Sequence, residues 1–428
     1  MHVKSLILAT LLPLSALAAP ALSPADQAAA LINQLRAGQF EQAHRHFDAQ
    51  MAQAVSLPAL SQVWQQLETA FGTLQEVGKA EVKDINGRQV ILQTLRFERG
   101  NVRATTAVSA DGKISGFHLA PVADAAPAPA ADAAFIEKPL QIDAGPGPLA
   151  ATLSLPKGQG PFPAVVLVHG SGPQDRDETI GPNKPFADIA HGLAARGIAV
   201  LRYDKRSQAR PQDFANGVSL ALETTDDATA AVKLLKQQAG IDAGRVFVLG
   251  HSQGGMVAGR IATAAQAAGA ILFAAPARPI LDLLREQNVH LLAQSPQIPA
   301  EAAKAHMDQL DAAIAALRSD PAAILPALPG LTGAYWQEVE AVDVVADTRA
   351  SGLPTLLLQG GRDFQVVDTD WQLLKAGLTG ERFTFHHYPA LNHLGIAGEG
   401  ISTLADYQTP GKVSDQLIGD IATWIHAR

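Results

Sequence analysis

Gly250-His251-Ser252-Gln253-Gly254 fits the pattern G-x-S-x-G. A serine hydroxyl becomes a useful nucleophile only when a base takes its proton, so the pentapeptide alone says little. Its flanks say more. Arg245–Leu249 reads as a strand running into it, and Gly255–Ile261 as a helix leaving it. A serine on that sharp turn is held in a strained conformation with its hydroxyl exposed. The helix N-terminus behind it favours negative charge developing in front.

The base must come from elsewhere, and with 13 histidines in the chain position must choose it. His393 follows the last predicted strand, Phe383–Tyr388, and precedes the last predicted helix, Val413–Ala427. That puts it in a loop at the carboxyl edge of a sheet, where ligands bind in such folds. His386 and His387 lie within the strand, alternate faces and read as packing or surface. The base needs an acid to orient it. Asp363, in Gly361-Arg362-Asp363, follows the strand Thr355–Leu358, with Asp368 and Asp370 as rivals a few residues on. The order Ser252, Asp363, His393 is the one this strand-turn-helix architecture uses. A tetrahedral intermediate needs donors for its oxyanion. Gln253 N–H supplies one. The loop after Ala164–Val168, His169-Gly170-Ser171-Gly172-Pro173, supplies the other, with Ser171 N–H favoured over Gly172.

Several tempting groups read as scaffold. His169 is expected to order its own loop. Asp175, Asp177 and Glu178 suggest a cation site, but Arg176 sits among them and no other ligand type is near. They read as a polar brace for the oxyanion turn, and no metal or cofactor is expected. Asp204-Lys205-Arg206 reads as structural. His44-Arg45-His46 has i, i+2 spacing, which shares no helix face, and reads as solvated surface.

These residues need a frame to hold them. Residues 135–428 alternate strands and helices, which implies a mostly parallel sheet with helices on both faces. The stretch 279–348 is Ala-rich, helical and strandless, too long for a loop, and reads as a cap over the carboxyl edge. Residues 24–120 read as a small α+β domain, with helices at Ala25–Leu35, Phe40–Met51 and Leu57–Phe71 and an antiparallel sheet after them. Residues 121–134, PVADAAPAPAADAA, read as a linker. Residues 1–18 combine a basic start, a short apolar run and a small-x-small end at Ala16-Leu17-Ala18, the pattern of a cleaved signal peptide. The apolar run is shorter than the roughly 20 residues a spanning helix needs. An exported protein, periplasmic or secreted and without a stable membrane span, is expected.

Composition narrows the rest. The chain has 428 residues, 47% of them hydrophobic and 17% charged, which is globular. A formal charge of −8 argues against a nucleic-acid partner. The absence of cysteine excludes disulfides, thiolate metal sites, a cysteine nucleophile and a lipid anchor on Cys.

The unbroken run from His169 to Phe186, together with Gly-His-Ser-Gln-Gly-Gly, Gly-Arg-Asp and Leu-Asn-His-Leu, makes residues 135–428 resemble an α/β-hydrolase-fold serine esterase. The resemblance is to a bacterial carboxylesterase subgroup near the dienelactone-hydrolase and serine-aminopeptidase-like branches. It implies a cofactor-free enzyme acting on small esters with short acyl chains. Residues 24–120 more loosely resemble a domain of unknown function fused ahead of such hydrolases. The cap is generic, and caps set substrate choice. The alternatives are an aminopeptidase or dipeptidyl-peptidase using the same triad, a thioesterase or acyltransferase, and a non-catalytic periplasmic binding protein. A peptidase would need carboxylates for the substrate amine, for which the cap offers Glu338 and Glu340. Tyr335 and Trp336 read as cap core rather than as an acyl pocket. A binding protein is disfavoured because every catalytic position is filled.

Overall fold

The computed structural model describes residues 22–85, 88–122, 130, 132–324 and 331–428. The expected signal peptide, Asn86-Gly87, whose residue types predict a turn, and most of the expected linker lie outside these residues. The chain separates into two compact units, Met1–Asp124 and Ala125–Arg428.

In the first unit, α1 (Pro24–Arg36) begins at Ser23, whose hydroxyl caps Asp26 N, with proline in the first turn. It is followed by α2 (Phe40–His44), α3 (Ala49–Ala54) and α4 (Leu57–Phe71). The single helix expected over Phe40–Met51 is broken in two. Asp48 leaves the helix to cap α3 through Met51 N at 2.7 Å, and its own amide donates to Ile114 O at 2.9 Å. The strands β1 (Leu74–Val77), β2 (Glu81–Ile85), β3 (Arg88–Phe97), β4 (Gly100–Val108) and β5 (Ile114–Val122) follow. They form an antiparallel sheet in which β4 lies between β3 and β5, while β1 and β2 both pair with β3. Alternate residues Ile91, Leu95, Val102 and Ala104 join Leu31, Ile32 and Trp64 in its core. Pro121 and Val122 complete β5, so the strand runs into the expected linker.

The second unit is built on an eight-stranded sheet. Its elements are β6 (Phe135–Ile142), β7 (Leu149–Pro156), β8 (Phe162–Val168), α5 (Pro185–Ala194), β9 (Ala199–Tyr203), α6 (Arg206–Ala209), α7 (Asp226–Lys236), β10 (Ile241–His251), α8 (Gln253–Ala264) and β11 (Gly269–Phe273). Then come α9 (Ile280–Ala293), α10 (Ala300–Ser319), α11 (Gly333–Glu340), α12 (Val344–Ser351), β12 (Thr355–Gly360), α13 (Asp368–Gly377), β13 (Phe383–Tyr388), α14 (Leu404–Gln408) and α15 (Asp415–His426). The spatial order is β13-β12-β11-β10-β8-β9-β7-β6. Strands β8 to β13 run parallel, β7 runs antiparallel to β9, and β6 antiparallel to β7. Both faces of β10 are dry. Val246 and Val248 point into one core with α7 and α8, while Phe247 and Leu249 point into the other with α5 and α15. A strand buried on both faces carries apolar residues without alternation, as Val246–Leu249 does.

The chain leaves β8 to one side for β9 and returns on the other for β10. Such a reversal opens a crevice at the carboxyl ends of the two strands. The helical insertion between β11 and β12 reaches this edge, where His290 of α9 stacks on Phe364 in the loop after β12 at 4.6 Å. The insertion proper ends with α11. Helix α12 packs against α8, with Thr348 beside Gly259, and makes the ordinary return crossing to β12.

Candidate active site

Ser252 is the single residue between β10 and α8, with φ +53° and ψ −120°. A side chain at positive φ costs on the order of 1–3 kcal/mol and persists only where its surroundings over-determine it. Here they do. Ser252 N donates to Phe273 O at 2.9 Å, and Ser252 O accepts from Met256 N at 3.1 Å. Gly254 completes the turn, because a Cβ there would lie 2.3 Å from Val168 O.

Asp363 sits in the turn after β12. Its Oδ1 accepts from the amides of Gln365 at 2.8 Å and Val366 at 3.0 Å. Its Oδ2 lies 2.7 Å from His393 Nδ1, and both side chains are buried. A carboxylate only accepts, so Nδ1 carries the proton and Nε2 is left with a lone pair, the form a general base needs. Asp368 and Asp370 do not meet this histidine. Asp368 opens α13. Asp370 takes the amides of Ala277 and Arg278 at 2.9 Å and the Arg278 guanidinium at 2.7 Å.

His393 is also held from behind, through contacts the sequence did not disclose. Its ring packs on His251, the neighbour of Ser252, with centroids 4.6 Å apart. His251 Nε2 donates to His393 O at 2.9 Å. On its other side His251 Nδ1 lies 2.9 Å from Glu178 Oε2, in an ion pair too poorly aligned for a hydrogen bond. Burial opposes charge on His251, but the Glu178 carboxylate and the His393 carbonyl outweigh it and raise its pKa. Burial likewise opposes charge on Glu178, and His251 with the Gly170 amide lowers it.

The loop after β8 lies against the serine, since a Cβ on Gly170 would stand 3.2 Å from Ser252 Cβ. Gly170 N is taken by Glu178 Oε1 at 2.8 Å. The amides of Ser171, Gly172 and Gln253 have no acceptor among the described residues. His169 is wholly buried between Phe186 and Tyr203, its Nε2 2.9 Å from Asp175 O. Burial drives its pKa down to about 4. It therefore orders the loop as a neutral ring.

The carboxylates near that loop diverge. Asp175 takes Thr179 N and its hydroxyl, Asp177 pairs with Arg202, and Glu178 faces His251. Among the described residues no group of three or more such side chains is arranged to hold a metal ion. In the cap, Glu338 accepts from Leu220 N at 3.0 Å and Glu340 pairs with Arg318 at 2.8 Å. His386 lies 3.3 Å from Asp420. The expectation that His44 and His46 are solvated is corrected. Both are half-buried, meeting Val55 O at 2.9 Å and Gln27 Oε1 at 3.0 Å.

A serine on a strained strand-to-helix turn, with a carboxylate-bound histidine whose ring packs on the serine's chain neighbour His251, is the pattern of the α/β-hydrolase class. The comparisons with known proteins agree. The family model described as serine aminopeptidase, S33, matches residues 160–399, more than half of the chain. Esterase EstD of Thermotoga maritima is 35% identical over 409 residues, covering 94% of this chain and 95% of its own. The chain belongs to this family of serine α/β-hydrolases. Residues 28–117 match a family described as protein of unknown function (DUF3887). Among solved structures, Est1E of Butyrivibrio proteoclasticus is similar at 17% identity and a TM-score of 0.45, covering 68% of this chain and 99% of its own. The esterase domain of a Rhodothermus marinus protein is similar at 17% identity and a TM-score of 0.42, covering 68% and 98%.

Proposed function

We propose that the protein is an exported serine carboxylesterase that hydrolyses short-chain carboxylic esters through an acyl-enzyme. The observation that carries this reading is the 2.7 Å bond from His393 Nδ1 to Asp363, which leaves Nε2 free to act as a base. The kinship with an esterase along nearly the whole chain supports the ester as substrate.

In this mechanism Ser252 Oγ attacks the ester carbonyl as His393 Nε2 takes its proton. The oxyanion is received by Gln253 N–H and Ser171 N–H. His393 then protonates the leaving alcohol as the C–O bond breaks. Water, activated by the same histidine, hydrolyses the acyl-serine and returns the proton. Asp363 keeps the imidazole in the working tautomer throughout.

The test is turnover of nitrophenyl acetate, butyrate and octanoate beside Ser252→Ala. The variant should lose at least ~10³-fold in kcat; a variant that keeps its turnover removes Ser252 from the reaction. A peptidase is the second reading, favoured by the family's description. Against it, Glu338 and Glu340 are already engaged by Leu220 N and Arg318. An aminoacyl nitroanilide cleaved faster than the butyrate ester would reverse the order. For export, protein recovered outside the cytoplasm should begin at Ala19, as read by intact mass; an intact Met1 there would refute cleavage.

A further inference from the structure

We propose that Lys205, Glu223 and Tyr335 form a positioning relay that fixes both oxyanion donors, with the cap's Tyr335 as its closing member. The inference rests on the esterase reading of the site.

Lys205 Nζ donates to Gly170 O at 2.8 Å and to Glu223 Oε1 at 2.8 Å. The Gly170 carbonyl and the Ser171 N–H belong to one planar peptide. Gripping the oxygen therefore aims the N–H. An ammonium on that oxygen also polarises the amide and makes its N–H a stronger donor. Glu223's second oxygen accepts from Tyr335 OH at 2.6 Å, and the phenol oxygen in turn accepts from Gln253 Nε2 at 2.9 Å. Gln253 carries the other donor amide. One connected chain of hydrogen bonds thus ends on both halves of the oxyanion site.

All four side chains are buried, from 1% exposure at Lys205 to 5% at Glu223. A buried ion pair is a poor way to stabilise a fold, since apolar residues of equal volume often do better. Positioning of dipoles is a use that packing alone would not supply. Glu223 sits in a π-helical turn, Ala221–Thr225, a distortion common at functional sites. Burial first, and then the Glu223 carboxylate, hold the Tyr335 phenol protonated far above its ordinary range, so it stays a donor. Tyr335 alone comes from the cap, through α11. The other members stand on the loops and helices around β8, β9 and β10. A cap that lifts away takes the phenol with it and loosens the Gln253 side.

The test compares wild type, Tyr335→Phe and the charge-balanced double variant Lys205→Met/Glu223→Gln, using nitrophenyl butyrate and phenylboronic acid. The boronate forms a tetrahedral adduct on serine and needs the oxyanion donors, whereas KM reports chiefly ground-state binding. Tyr335→Phe should lower kcat about 10-fold, short of the ~10²–10³ lost when a donor is removed outright. Its KM should stay within about twofold, and boronate affinity should fall in step with kcat. The double variant should lose about 100-fold, and adding Tyr335→Phe to it should cost little more, because the three act as one unit. Unchanged kcat and boronate affinity in folded variants, or a loss confined to KM, overturns the relay. If the double variant does not fold, the near-isosteric Tyr335→Phe decides by the same two readings. A wild type without ester turnover sinks the esterase reading and the relay with it. A wild type that turns over beside indifferent variants sinks the relay alone.

Discussion

The two units differ in the charge they bury. In the first, the only buried polar residues among those described are Gln93 and Thr106, both neutral, and Gln93 Oε1 and Thr106 Oγ1 have no partner. In the second, Glu178, Lys205, Glu223, His251, Asp363 and His393 are all buried, and each faces a named counterpart. An unpaired hydroxyl costs a core on the order of 1–3 kcal/mol, which a small domain can bear. An unpaired charge costs far more, so charge is buried only in sets. Such a set is also what a water-poor site needs to stabilise developing charge. Pairing alone does not mark chemistry, however. Arg206, fully buried against Asp227 and Asp213, braces the loop after β9 and touches no part of the serine turn. The distinguishing feature of the other set is that it ends on Gly170, Gln253 and His393.

This contrast can be broken in graded steps. The largest expected effect is that of Asp363→Asn. It should leave the fold intact while forcing the wrong imidazole tautomer, and kcat should fall roughly 10⁴-fold. Steady-state turnover near wild type would detach Asp363 from the chemistry. Next comes Glu178→Gln, which strands His251 without its anion and should destabilise the second unit by about 3–5 kcal/mol in urea melts. The pair also has a signed pH dependence. Glu178 is lowered and His251 raised, so the stabilisation is full between their ordinary values of 4.5 and 6.5. It fades below that window as Glu178 protonates and above it as His251 loses its proton. In Glu178→Gln this window should vanish from a stability-versus-pH curve.

His169 gives a smaller effect of fixed sign. It stays neutral in the fold until about pH 4, whereas an unfolded histidine takes its proton near 6.5. Acidification through that interval should remove about 3 kcal/mol, and His169→Asn should flatten this slope. A variant with an unchanged slope would assign the acid sensitivity elsewhere. The smallest expected effect is in the first unit. Thr106→Val deletes an oxygen that has no partner and should stabilise by up to about 1 kcal/mol by calorimetry of the whole chain. Clear destabilisation would show that Thr106 Oγ1 has a partner after all, and would weaken the contrast between the units.

How much of this was legible follows from distance along the chain. Ser252, Asp363 and His393 each lie just past a strand within a recognisable short motif, so local sequence could single out all three as candidates. The buried sets did not announce themselves. Lys205 and Glu223 are 18 residues apart, and only the fold shows that the lysine also meets Gly170. Asp204-Lys205-Arg206 therefore read as plain scaffold, which is true of Arg206 but incomplete for Lys205. Strand β6 escaped notice because it is an edge strand containing Pro139, with no clean alternation of buried residues. The break between α2 and α3 was hidden for a related reason. Asp48 fits a helical pattern, and only its bond to Ile114, far along the chain, draws it out of the helix.

The place where the cap enters has a consequence for how such enzymes diversify. Because α12 makes the crossing to β12, the excursion from Ile280 to Glu340 contributes, among its described residues, no strand and no crossover. Recombination can lengthen, shorten or exchange such a detour while the strand order stays as it is. Selection on substrate can then act on one cassette, and a transplanted cassette inherits a short set of requirements: the seats now filled by His290 on Phe364 and by Glu338 on Leu220 N, and a phenol delivered where Tyr335 now stands.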